Sequence, residues 1–224
     1  MTRARLQQDR SRATRRAIIA RAEALWREHG FDAVSVEQVC QAADVAKGTF
    51  YFYFPRKEHL LVMTVFGRFM PRDTELKALL DSELDTAQIC AELLTAIGQR
   101  VKKIDKNLVL RAVEESFRHY RQIGKLEGGD HSLHSFYEPI FERGVARGDV
   151  NKAWDLDLIA RTLGWATLQE IFWWASGQST LRDLLPDLRQ RAELIANGAR
   201  FGQPAITAPK VSSPAPRPRS APRS

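Results

Sequence analysis

Val36–Lys57 reads VEQVCQAADVAKGTFYFYFPRK, and the fold of the chain turns on how these residues are parsed. Val36, Val39, Cys40 and Ala43 recur at three and four residues, the spacing of one buried helical face. Ser35 stands just before them with Gln38 three residues on, so each side chain can bond the other's backbone N–H as a capping box. This helix stops at Asp44, and Val45 packs inward. Lys47–Tyr53 then reads as a further short helix. Pro55 ends it, because a proline ring disfavours helical geometry in the residue before it. Two short helices around a tight break have helix-turn-helix spacing.

A longer helix is expected upstream, over about Arg15–His29, with Ile18, Ile19, Ala22, Leu25 and Trp26 on one face and Gly30 as its terminator. In a helix-turn-helix the second helix enters the major groove with its first residues at base edges. Lys47, Gly48 and Thr49 suit that position. Gly48 lets the backbone come close, and Thr49 offers a hydroxyl to a phosphate or base and a methyl to thymine. Tyr51 and Tyr53 are long arms ending in phenol hydroxyls. Phe50 and Phe54 are expected to pin the helix to its neighbours, and Lys57, opening the next helix, to meet a phosphate. Five consecutive aromatics, Phe50 to Phe54, would cover every face of a helix. A purely structural aromatic strip therefore does not account for them.

The charge distribution agrees with an anionic partner at the N-terminal end. Over residues 1–59, eleven Lys or Arg stand against seven Asp or Glu; over 60–201, nineteen stand against twenty; over 202–224, four stand against none. The net charge of +7 is thus concentrated at the two ends, which bears on association rather than on fold. The 224 residues, 44% of them hydrophobic, suffice for one large domain or a small domain joined to a larger one. No apolar run approaches a membrane span, and MTRARLQQDRSRATRR is too polar for a secretory signal. A cytoplasmic protein without membrane contact is expected. Cys40 and Cys90 lie in helical patterns without metal spacing and read as buried thiols.

The run from Ser35 through VEQVCQAADVAKGTFYFYFPRKEHLL, with the amphipathic helix before it, resembles the N-terminal domain of the TetR family of bacterial transcriptional regulators. The G-T-F-Y core and the F-P-x-K-E-x-L-L sequel carry the resemblance, which covers about the first 62 residues. It implies base or phosphate contacts from Lys47, Thr49, Tyr51 and Tyr53, a phosphate contact from Lys57 and another at the helix start from Ser35. Three positions depart from the family pattern: Asp44 replaces a usual glycine, Ala46 a usual capping serine, and Cys40 a common alanine. Loss of the cap should cost about 1 kcal/mol.

Beyond Lys57, a fourth helix with Leu60, Leu61, Val65, Phe66 and Phe69 on its apolar side continues to Pro71. Further helices are expected over about 86–104, 108–123, 133–147, 155–176 and 181–201. The fold class is all-α: a three-helix DNA-binding domain joined to a larger helical bundle for ligand binding and dimerisation. The boundaries are 1–13 for a basic flexible arm, 14–56 for the helix-turn-helix domain, 57–201 for the bundle and 202–224 for a disordered Pro/Arg-rich tail.

The last two helices carry more apolar surface than one-sided burial can hide. Leu156, Ile159 and Leu163 lie on one side of the first, and Leu158, Trp165, Leu168 and Phe172 on another. The final helix pairs Leu184, Leu188 and Ile195 with Ala192, Ala196 and Ala199. In the resembled family these two helices form the dimer interface, which implies a homodimer. Aromatics of the middle helices, Phe66, Phe117, Tyr120, Phe136, Tyr137 and Trp173, are candidates to line an apolar effector cavity.

Glu115 and His119, one turn apart, with His131 and His134 nearby, lack the further ligands of a metal site. No phosphate-binding glycine loop or nucleophile–base pattern occurs. The expected protein is therefore no enzyme and needs no cofactor. It is expected to be a DNA-binding repressor released from a double-stranded operator by a small, largely apolar effector. The alternatives are an architectural DNA-binding protein without an effector, and a helical metalloenzyme.

Overall fold

The computed structural model describes residues 3–118, 136–177 and 183–201. Among these every regular element is a helix. The order is α1 (Arg3–His29), α2 (Val36–Ala43), α3 (Lys47–Tyr53), α4 (Lys57–Phe69), α5 (Asp73–Leu80), α6 (Thr86–Val101), α7 (Lys106–Arg118), α8 (Glu138–Arg147), α9 (Leu156–Ser176) and α10 (Leu184–Phe201). No helix among the described residues is long and apolar enough to cross a membrane.

The N-terminal unit forms as its sequence dictates. Ser35 Oγ accepts from the Gln38 backbone N–H at 3.2 Å, while Gln38 Oε1 accepts from the Ser35 N–H at 2.7 Å, closing the capping box. Asp44 takes the left-handed conformation (φ 52°, ψ 50°) and donates its N–H back to Cys40 and Gln41 carbonyls. Asp accepts this conformation at less cost than most residues. Ala46 precedes α3 with no side-chain cap. Ile18, Ala22, Trp26, Val34, Val39, Phe50 and Phe54 are buried together beneath these helices.

The first helix departs from expectation. Residues 3–14 are not an arm outside it: α1 runs unbroken for 27 residues from Arg3. Arg, Gln, Ala and Leu are strong helix formers, and neither Gly nor Pro occurs before Gly30 to stop propagation. The short α5 was also absent from the sequence reading, and it buries none of its residues fully.

In the larger unit α10 packs along α6, and α9 lies against α7, α8 and α10. Close contact between α6 and α10 depends on Gly98, where a Cβ would stand 2.7 Å from Leu185 Cδ2 and 2.9 Å from Leu188 Cδ1. Ala192, Ala196 and Ala199 are buried within the chain. Their small size thus serves packing inside one protomer. Tyr137, wholly buried, lies with its hydroxyl 3.1 Å from Thr167 Oγ1. The α4 helix bridges the units, touching α1 on one side and α6 and α7 on the other.

Candidate nucleic-acid interface

Helix α3 is pinned from beneath and presented outward. Phe50 and Phe54 are fully buried, whereas Tyr51 is 49% and Phe52 77% exposed. Lys47 and Gly48 are exposed at the start of the helix and Thr49 is half-buried. A side chain on Gly48 would meet nothing within 4 Å, so its absence leaves room for an approaching surface. Ser35 is exposed at the start of α2.

Phe52 is the residue the sequence reading missed. Its exposure follows from helix geometry: with Phe50 and Phe54 facing inward at i and i+4, the position midway between them must face outward. A phenyl ring is expensive to leave in water, and at this place it can meet a thymine methyl or sugar face.

Two lysines have partners that a sequence pattern does not show. Lys47 Nζ stands 2.5 Å from Glu37 Oε1 of α2. The hydrogen bond from Lys47, helped by backbone and Ser35 contacts, lowers the Glu37 carboxyl to about 2, and the lysine is pushed upward in turn. Lys57 Nζ lies 4.2 Å from the centre of the Phe31 ring, and burial lowers its pKa despite Asp32 and Glu58 nearby. Arg111 of α7 approaches the same ring at 5.4 Å and pairs with Asp32. Phe31 and Asp32 thereby clasp the start of α4 and the middle of α7. Tyr53, half-buried, lies with its hydroxyl 2.9 Å from Ser11 Oγ. This contact ties α3 to the basic N-terminal half of α1, where Arg10 and Arg12 are exposed.

Residues 18–63 match the sequence profile described as bacterial regulatory proteins, tetR family. Residues 18–63 carry the DNA-binding domain of the TetR family. It is 27% identical over 191 residues to the HTH-type transcriptional repressor KstR of Rhodococcus jostii (strain RHA1), covering 83% of this chain and 84% of that one. The HTH-type transcriptional regulator EthR of Mycobacterium tuberculosis (strain ATCC 25618 / H37Rv) is 37% identical over 71 residues, 31% of this chain and 32% of that one. In fold the chain resembles the TetR-family repressor FadR of Thermus thermophilus, solved with lauroyl-CoA. The TM-score is 0.69 at 21% identity, over 87% of this chain and 98% of that one. The chain is a DNA-binding transcriptional regulator.

The described candidate effector residues lie on or beside α4, α7, α8 and α9. Phe117 is partly exposed and stacks on Trp165 at 5.4 Å and 10°. Trp173 is partly exposed beside Phe172, and Phe66 is half-buried against Phe69. Phe136 is half-buried, and Tyr137 belongs to the core. Tyr120 lies outside the described residues, as do His119, His131, His134 and the tail from residue 202. Among the described residues no group of His, Cys, Asp or Glu could hold a metal ion. Both cysteines are free and buried. Burial raises the Cys40 thiol and pushes Cys90 up to about 12, so neither has thiolate character.

Proposed function

We propose that this TetR-family regulator is a homodimeric repressor that reads a double-stranded operator through α3 and is released by a small, largely apolar effector. The observation that carries the DNA reading is the face of α3. Lys47, Gly48, Thr49, Tyr51 and Tyr53 stand at or beside an exposed surface, fixed by Phe50 and Phe54. Ser35 adds a phosphate contact at the start of α2, and Lys57 adds one by leaving the Phe31 ring.

Replacement of Thr49 or Tyr51 by Ala should weaken operator binding by about tenfold or more, since good base contacts are worth about 1–3 kcal/mol. Dimerisation should persist. Unchanged affinity in a gel-shift titration would remove both residues from the groove. Lys57→Ala should weaken all DNA alike and reduce the salt slope by about one.

Dimerisation through α9 and α10 is supported by the apolar side chains they leave exposed: Leu158, Trp165 and Trp173 on one, Leu194 and Phe201 on the other. The effector reading keeps the bundle aromatics Phe66, Phe117, Tyr120 and Phe136 as its candidate lining. The structurally similar Thermus regulator was solved with lauroyl-CoA, a ligand with a long apolar chain, which supports an effector of that chemical character here. A ligand screen by thermal shift tests it, because compounds that bind only the folded state raise the melting temperature. Compounds that do so and also lower operator affinity satisfy the proposal; an architectural protein would show neither effect.

A further inference from the structure

A groove of about 660 Å³ opens where the end of α4 meets α5 and α6. Its walls include Gly67, Arg68, Arg72, Thr74, Glu75 and Arg100, so three guanidiniums stand against one carboxylate. Arg100 is held in place before any ligand arrives. Its Nη2 donates to both Glu75 oxygens at 2.6 and 2.5 Å, and Nη1 donates to the Phe69 and Met70 carbonyls at 3.5 and 3.4 Å. Arg68 pairs with Glu23 of α1. Arg72 is exposed just before α5, two residues ahead of Thr74 and beside Asp73 in sequence.

Gly67 supplies an independent observation. Glycine inside a helix is less favourable than alanine because it loses more backbone freedom on folding. Nothing among the described residues requires it here. Gly67 is not among the glycines with positive φ, and a Cβ would meet no atom within 4 Å. Gly98 differs, since a Cβ there would crowd the Leu185 and Leu188 side chains of α10. At Gly67 the open space is the groove itself, and an added side chain would begin to fill it.

We propose that this groove binds a phosphoryl group carried by the effector, with Arg72 and Arg68 as its principal partners and Arg100 fixing the field behind them. Guanidinium groups match phosphate oxygens in paired, charge-assisted hydrogen bonds. The inference rests on the effector reading above and deepens it: the apolar body of the ligand would enter the bundle while its charged end stays at the α4–α5–α6 groove. A phosphate at Arg68 competes with Glu23, the acid that ties α4 to α1. Occupancy would thereby loosen the DNA-reading unit from the helix that carries it, a differential interaction between two states.

The test uses the full-length protein, with inorganic pyrophosphate and ADP as probes in calorimetric titration at fixed ionic strength. Saturable binding is expected, weakened about tenfold in Arg72→Gln and lost in Gly67→Leu. Gly67→Ala should fold at least as well as the parent and bind less tightly, and circular dichroism checks that both glycine variants retain their helices. Binding of ADP alone identifies an organic phosphate ester as the ligand; binding of both probes identifies the phosphoryl group itself. The proposal is overturned if neither probe binds, if sulfate competes equally well, or if Arg72→Gln and Gly67→Leu bind as the parent does. A bound probe that leaves operator affinity unchanged would count against effector release and not against the groove.

Discussion

Among single residues, Lys47 shows how a contact legible in sequence acquires a competitor in three dimensions. The sequence marks this lysine as a candidate DNA contact because it opens α3, and the structure leaves it exposed there. The sequence does not mark its pair with Glu37, since that depends on the angle between α2 and α3. In the proposed DNA complex, phosphates draw Lys47 away from this carboxylate. Glu37→Gln should therefore raise affinity for DNA of any sequence roughly two- to tenfold and steepen the salt slope by about one. Fluorescence anisotropy over a salt series measures both. Because the Glu37 pKa is depressed from 4.5 to about 2, the pair's contribution to stability is fully present above the unfolded value. It is lost as pH falls from about 4.5 towards 2. Both side chains are more than half exposed, so salt screens the contribution strongly. Ala46 gives a second test. A serine there would cap the recognition helix and should stabilise the protein by about 1 kcal/mol, seen as a higher melting temperature.

Helices were readable wherever apolar spacing had a single side. The bounds of α3 agree with the reading from sequence, and α2 and α4 are close to it, because capping residues and proline mark their ends. The beginning of α1 was not readable in the same way. Its first half lacks large apolar residues, and a solvated arm and a helix continued from a stable one share that composition. The eight-residue α5 has Leu76, Leu79 and Leu80 only half-buried, so its pattern is weak. The approach of α6 to α10 depends on Gly98, whose role appears only when the facing leucines are known. Gly98→Val should destabilise the bundle by about 1–3 kcal/mol through overpacking, measured by chemical denaturation, while Tyr51→Ala on the exposed face of α3 leaves stability nearly unchanged.

For the molecule as a whole, the charge balance and the unhidden apolar surface of the last helices pointed to a DNA reader on an oligomeric bundle. The effector site was less legible, since an aromatic at helical spacing fits a core as well as a cavity wall; Tyr137 proves to be core. The assembly has its own test. Leu194 is 73% exposed, so Leu194→Asp leaves the protomer's packing intact while placing a charge on the proposed dimer face. Dimerisation should weaken about tenfold or more, read by sedimentation, with operator affinity falling alongside. Inside the same face, Arg191 of α10 stands 2.5 Å from the buried Glu170 of α9. Arg191→Ala leaves that buried carboxylate without its partner and should be costly to the fold.

The seating of α10 along α6 also orders events in time. Helices α1 to α4 are neighbours in sequence, and their contacts can form as soon as the chain reaches about residue 70. The cleft on α6 that receives Leu185 and Leu188 must instead wait for residues made more than eighty positions later, a separation visible in the Lys102–Asp183 pair. Local contacts form quickly and distant ones slowly, so the DNA-reading unit should be structured while the bundle is still open. A chain halted before Leu184 would retain a competent reading head on an unfinished body with its apolar seam uncovered. Such a fragment should be a preferred target for chaperones and proteases, and pulsed hydrogen exchange during refolding should show α1–α4 protected before α6 and α10.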